Sequence, residues 1–116
     1  MSTREIISLT ALALSDKIRA KTISCTEVLS AYLRHIDKVN PKFNALVSLR
    51  DYEVLLEEAL ECDKELSKGI YRGWMHGLPH AVKDLADVEG LLTTKGSPVL
   101  KDNVAVKDSI FVERIR

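Results

Sequence analysis

The sequence has few cysteines, prolines and glycines: two, three and five, respectively, in 116 residues. Cys25 and Cys62 lie far apart without CxxC spacing, so the pattern typical of zinc or redox sites is absent. His76 and His80 are four residues apart, but a glycine and a proline lie between them, so no helix places both on one face. We therefore expect no metal and no cofactor, and two reduced, buried thiols in a cytoplasmic protein.

Net charge is also lacking, because 17 basic residues balance 17 acidic residues. A neutral chain gives no electrostatic reason to expect a nucleic acid or an anionic membrane as partner. It also lacks the self-repulsion that keeps proteins apart, so we expect association between copies of the chain. No apolar run approaches the length of a membrane span, and the N-terminus lacks the pattern of a signal peptide.

Hydrophobic residues, by contrast, are well represented at 46% of the chain, and several of them recur at helical spacing. The length predicts a single domain over residues 1–116. The first helix is predicted to begin near Ser8 or Thr10 and to end near Lys21. The second begins with Ser24 and Glu27, which form a capping box, and ends where Pro41 stops it.

Two further helices are predicted from their caps. Asp51 and Gly69 bound a third helix, which has a charged, solvated face. Asp108 caps a last helix, which carries apolar side chains at Ile110, Phe111, Val112 and Ile115. Between the helices, residues 44–49 and 78–82 read as short buried strands, so the expected fold class is α/β, with helices first and short strands and helices after them.

The candidate site follows the second strand. The run Leu78–Val82 ends at Lys83 and Asp84, and a turn of sequence Thr94-Lys95-Gly96-Ser97 comes ten residues later. Catalytic groups are often displayed where a buried strand passes into a loop.

Lys83 is the residue in this run best suited to act as a catalytic base. A lysine acts as a general base only when neutral, and a pKa of about 10.4 keeps an ordinary lysine protonated at pH 7. Burial lowers that pKa, and Lys83 follows an apolar run, so we expect its amine to be partly buried near Asp84, Thr94 or Ser97. The alternative is a lysine that extends from a strand end into water.

The other polar residues also allow two interpretations. Asp84 could accept amides of the following turn, and Thr94, Gly96 and Ser97 could line a site through hydroxyls and exposed amides. Turn formation alone would equally explain them, with Gly96 adopting a positive φ and Ser97 extended before a proline. Ser97 lacks the strand–turn–helix setting of a nucleophile, so it is not assigned that role.

The order and spacing of these residues resemble the first catalytic motif of the amidase signature family. The family pattern is Gly-x-Pro, a short strand, Lys-Asp, a spacer and Thr-x-Gly-Ser. It corresponds here to Gly77-Leu78-Pro79, Lys83-Asp84 and Thr94-Lys95-Gly96-Ser97. The helices upstream are similar to those of the family as well, so the resemblance covers nearly the whole chain.

The resemblance implies the opening part of a mixed-sheet hydrolase that converts a small-molecule carboxamide to an acid and an amine. Family members use a Ser–Ser–Lys triad, which makes Lys83 the catalytic position and Asp84, Thr94, Gly96 and Ser97 supporting positions. The two serines belong to a Gly/Ser-rich segment downstream, and no such run occurs in this sequence. We therefore expect a segment that is inactive by itself. The alternatives are half of an enzyme completed by a second chain and a non-catalytic interaction module.

Overall fold

Helices make up most of the regular structure. The computed structural model describes residues 1–116 and contains five α-helices: α1 (Thr3–Ile7), α2 (Ala11–Arg19), α3 (Cys25–Phe43), α4 (Tyr52–Ser67) and α5 (Ile110–Ile115). A 3₁₀ turn covers Pro98–Leu100. No helix is both long and apolar enough to cross a membrane.

The helix starts follow local capping chemistry. The Thr10 side chain accepts the Ala13 amide at the start of α2, and Ser24 and Glu27 form the predicted capping box of α3. The helix α1 was not predicted, although Ser2 and Glu5 form a capping box of the same kind. A five-residue helix leaves too short a periodic pattern to be detected by its apolar spacing.

The end of α3 corrects a prediction. Pro41 does not stop the helix, which continues to Phe43. A proline removes only its own bond to the carbonyl four residues earlier, and here that loss comes after nearly all of the helix has formed, with two helical residues still to follow. The helix ends instead at Asn44, whose left-handed backbone (φ 49°) turns the chain away. Asn40 then holds the following loop, because its side-chain amide both donates to and accepts from the backbone of Leu46 at 2.9 Å.

The two predicted strands are wrong. Residues 44–49 form an irregular loop in which only Leu46 is partly buried, and residues 78–82 have no strand partner. The one β-bridge joins Leu92 and Val104 in antiparallel orientation. A strand exists only where a second segment accepts and donates its backbone hydrogen bonds, and neither predicted segment has such a neighbour in this chain. The mixed sheet of an α/β fold is therefore not seen.

The chain divides into two compact units, residues 1–79 and residues 80–116. The first unit contains the main core, in which α1 and α4 both pack against α3. Its buried apolar residues are Ile6, Leu14, Ile18, Ile23, Cys25, Val28, Ala31, Ala59 and Leu66. Val54, in the first turn of α4, lies outside this core and is exposed.

The third helix of the prediction, α4, has the expected bounds, but its start differs in detail. Asp51 occupies the N-cap position without a side-chain hydrogen bond to the helix. At the other end Gly69 adopts the expected positive φ of 82°.

The second unit contains Lys83–Ser97, which follows the Gly77–Pro79 entry of the family pattern and is called the motif from here on. Backbone hydrogen bonds between residues 90–93 and 103–105 hold a short antiparallel ladder around the isolated bridge. The N-cap residue of α5 is Ser109 rather than the predicted Asp108, and neither residue caps the helix with its side chain. Asp108 instead accepts the backbone amide of Glu89 at 2.7 Å and pairs with Arg116 at the same distance. Because the Asp108 carboxylate binds these distant partners, it does not cap α5. The spacing of residues in the sequence cannot reveal such partners.

Candidate functional site

Lys83 lies in a tight turn on the surface. Its carbonyl accepts the backbone amides of Leu85 at 2.7 Å and Ala86 at 3.0 Å. Its side chain is exposed, and its ammonium makes no hydrogen bond or ion pair. The prediction of a partly buried amine is therefore wrong for this structure. The apolar run before Lys83 does not bury the amine, because it is not covered as a strand of a sheet would be.

Asp84 joins the two parts of the motif. One carboxylate oxygen accepts the Thr94 backbone amide at 2.8 Å, and the other accepts the Thr94 hydroxyl. These partners are ten residues apart in the chain. The sequence interpretation that Asp84 accepts amides of the following turn is confirmed.

Hydrogen bonding sets the charge of Asp84. The hydroxyl of Thr94 lowers the pKa of the Asp84 carboxyl, and the backbone amides of Thr94, Lys95 and Gly96 lower it further, against a smaller opposing effect of burial. Each of these donors favours the carboxylate form. Asp84 is thus an ionised acceptor that holds a loop, and it cannot also act as a proton donor at neutral pH.

The turn after Thr94 is built from two left-handed residues. Lys95 has a φ of 53° and Gly96 a φ of 69°, as expected for the glycine. The Gly96 amide donates to the Thr94 hydroxyl at 3.3 Å, and the Ser97 amide donates to the Thr94 carbonyl at 2.9 Å. Ser97 is extended before Pro98, also as expected, and its hydroxyl makes no hydrogen bond.

The structure therefore brings Asp84, Thr94 and Gly96 together through direct contacts. It adds an ion pair between Lys95 and Asp87 at 3.5 Å, which spans the same loop. Neither of these two residues was singled out from the sequence. Their charges lie eight positions apart, outside any local pattern, so only the folded loop reveals the pair.

The segment before the motif is packed into the first unit through Gly77. A methyl group at Gly77 would lie 2.1 Å from the Cys25 sulfur, and the residue has a φ of 70°. Both constraints require glycine. Cys25 is buried and free, Cys62 is half-buried and free, and desolvation raises the pKa of both thiols. Thiols of this kind have little nucleophilic thiolate at neutral pH.

Asp63 belongs to the charged face of α4, which the sequence predicts to be solvated. Its carboxylate instead accepts the Cys25 amide at 2.7 Å, the Thr26 amide at 3.1 Å and the Thr26 hydroxyl at 2.9 Å. Desolvation opposes its ionisation and is the largest single effect, but the bonds from Cys25 and Thr26 together outweigh it and lower the pKa of Asp63. Asp63 therefore links α4 to the N-terminus of α3.

The histidines form no metal cluster. His76 is buried and His80 is exposed. No group of three histidine, cysteine, aspartate or glutamate side chains is placed to hold a metal ion.

The sequence over residues 27–116 matches the amidase family. This chain belongs to the amidase family. The match includes every residue of the Lys83–Ser97 motif and most of the helical unit before it. The family assignment that the sequence resemblance predicted is therefore confirmed.

Individual amidase relatives match over almost the full chain. An acylamidase of Rhodococcus erythropolis is 32% identical over 116 residues, which is 100% of this chain and 24% of the relative. A glutamyl-tRNA(Gln) amidotransferase subunit of Carboxydothermus hydrogenoformans is 34% identical over 112 residues, which is 97% of this chain and 23% of the relative. The same subunit of Clostridium kluyveri is 34% identical over 110 residues, which is 95% of this chain and 22% of the relative. The chain thus spans about a quarter of the length of the curated relatives it matches.

Proposed function

We propose that this chain carries the lysine of an amide-hydrolysing site. In this proposal Lys83 is the general base, and Asp84, Thr94, Gly96 and Ser97 support the loop around it. The contact between Asp84 and Thr94 carries the proposal, since it joins the two halves of the family motif. The substrate class is a small carboxamide, and the products are an acid and an amine.

The lysine would act on a serine of a Gly/Ser-rich segment, and this sequence contains no such segment. Deprotonation of a bridging serine by Lys83 would activate a second serine, which attacks the amide carbonyl. The amine leaves, and water then releases the acyl group. The acyl bond thus forms on the second serine alone, while the bridging serine and Lys83 move protons, including the one that the departing amine takes up.

The chain by itself is proposed to be inactive. The Lys83 side chain is exposed and makes no hydrogen bond or ion pair, so nothing in this chain covers the amine that the proposal treats as the base. Burial of Lys83 under further polypeptide would supply desolvation. The mixed α/β sheet predicted from the resemblance would belong to the same larger assembly.

In a second version of the proposal, another chain supplies the polypeptide that buries Lys83. The observation behind it is that two of the matched relatives are named as subunits of an amidotransferase. This chain would then be one part of a two-part enzyme. Its two free cysteines suit a reducing compartment, and we place it in the cytoplasm.

The test is hydrolysis of a panel of aryl and aliphatic amides by the purified chain. No turnover above background is expected. Turnover that is lost in Lys83→Ala and kept in the control Lys101→Ala would show that the chain contains a nucleophile of its own. Lys101 is a suitable control because its side chain is 76% exposed and lies outside the motif.

A further inference from the structure

His76 is the one ionisable ring that the first unit buries almost completely, with 3% of its surface exposed. Burial of a polar ring is unfavourable unless its nitrogens find partners. Both nitrogens do: Nδ1 accepts the Arg72 backbone amide at 3.3 Å, and Nε2 lies 2.9 Å from the Cys62 carbonyl oxygen. A carbonyl only accepts, so Nε2 carries the proton and Nδ1 does not.

The two bonds differ in reach: the bond to Arg72 is local, because His76 and Arg72 belong to one segment, and only the bond to Cys62 reaches α4. Cys62 lies on α4, whereas Arg72 belongs to the lead-in segment, Ile70–Pro79, which precedes the motif. The ring also stands 5.6 Å from the ring of Tyr71. A single buried side chain therefore attaches the lead-in segment to α4.

The other polar contacts of the lead-in segment are nearer the solvent. Arg72 pairs with Glu65 through two bonds of 2.6 Å, and the Arg72 side chain is 45% exposed. The Tyr71 hydroxyl lies 3.3 Å from the Ser15 hydroxyl in a partly buried position. Exposed ion pairs contribute little, so the buried imidazole is the contact whose loss should matter most.

We propose that His76 is a positioning residue. In the Nε2-protonated form it holds the lead-in segment on α4, and so it fixes the stretch of chain that comes directly before the motif. The importance of that stretch for catalysis rests on the function proposed above. The attachment itself does not, and both measurements below read the attachment without any substrate.

The first measurement determines the tautomer of His76 in the unaltered chain by nitrogen-15 NMR. The expected result is a protonated Nε2 and a bare Nδ1. A proton on Nδ1 would leave Nε2 unable to donate to the Cys62 carbonyl of α4, and it would overturn the proposal whatever any variant does.

The second measurement is residue-resolved amide exchange in His76→Phe, His76→Asn and the control His80→Phe. His76→Phe keeps a ring but can make neither bond. Exchange should therefore rise on the order of tenfold, the effect of one ordinary hydrogen bond, at the Arg72 amide for the local bond and at the Ile70 amide, which donates to the Glu65 carbonyl of α4, for the attachment. His76→Asn can still accept from Arg72 and should restore protection there. His80 is exposed, so its variant should change nothing.

Three results would overturn the proposal. One is unchanged exchange at Ile70, the lead-in amide bonded to α4, in His76→Phe. Another is an equal rise at every amide of the first unit, which would show a general loss of stability. The third is no recovery at Arg72 in His76→Asn while that variant remains folded. If His76→Phe does not fold, the tautomer measurement and His76→Asn still decide the question.

Discussion

Asp84 is the motif residue whose contacts are best defined. Its carboxylate accepts both the amide and the hydroxyl of Thr94, and these bonds lower its pKa. Lys83 beside it has no such partners. The structure therefore holds the supporting residues Asp84 and Thr94 together and leaves the side chain of Lys83, the proposed base, in solvent.

The loop held by Asp84 should open only in acid. The folded-state pKa lies below the ordinary value of 3.8, so the bonds stabilise the loop fully above that pH and are lost as the pH falls through the lowered value. The Thr94 amide resonance, followed by NMR from pH 7 downwards, should stay constant to about pH 4 and then shift.

Asp84→Asn should shift the Thr94 resonance at every pH and remove its titration. Asp102→Asn is the matched control, because Asp102 is 87% exposed and makes only a 4.0 Å contact with Lys101. A Thr94 amide that titrates identically in Asp84→Asn would contradict the assignment of this bond.

Gly77 allows a second prediction for a single residue. Gly77→Ala should destabilise the chain in two ways. The positive φ should cost about 1–2 kcal/mol, and the clash with Cys25 should cost about 1–3 kcal/mol more. Denaturant unfolding measures the sum. Gly69→Ala has a similar φ of 82° with nothing within 4 Å, so it reports the backbone effect alone. Equal losses in the two variants would show that Cys25 moves aside freely.

Among the helices, α3 and α4 are joined by a bond network that neither helix encodes locally. Ser24 and Glu27 cap α3 from within the helix, whereas Asp63 reaches the same N-terminus from α4. A carboxylate at that end of a helix is favoured by both hydrogen bonding and the helix dipole. The start of α3 is thus stabilised twice, once by its own sequence and once by tertiary contact.

Asp63→Ala tests the tertiary contribution. Loss of hydrogen bonds to a charged group costs about 1.5–3 kcal/mol, and the free energy of unfolding should fall by this amount. Glu61→Ala is the control on the same helix, since Glu61 makes only an exposed 3.5 Å pair with Lys64, which contributes about 0–1 kcal/mol. A loss in Asp63→Ala no larger than in Glu61→Ala would mean that the network does not stabilise the helix pair.

For the whole molecule, self-association and the single domain over residues 1–116 remain predictions. Two features would drive association in a chain without net charge: an unpaired strand edge at 78–82 and the apolar last helix. The strand is not present, so only the second argument stands. Ile110 is 73% exposed and Phe111 is 50% exposed on α5, and each buried side chain of this kind contributes about 1.5–3 kcal/mol.

Light scattering at micromolar concentration should give a mass above 13.0 kDa that rises as the sample is concentrated. Phe111→Glu should return the mass towards that of the single chain. Val47→Glu introduces the same charge at a 65% exposed position outside α5 and should not. A constant mass of 13.0 kDa in the unaltered chain would rule the association out.

The sequence by itself determined the features that depend on near neighbours. The capping of α2 and α3, the end of α4 at Gly69 and the positive φ of Gly96 all follow from groups within three or four residues. Family membership is of the same kind, because the order and spacing of the motif are written along the chain.

Only the tertiary structure decided the features that depend on distant partners. Residues 78–82 are not a strand because a strand needs a neighbour to complete its hydrogen bonds, and no local pattern shows whether one is present. Asp63 binds α3 across 38 positions of sequence, and its spacing along α4 alone suggested a solvated residue. Lys83 is exposed for the same physical reason: burial is decided by what packs over a side chain, and its neighbours in the chain do not supply that cover.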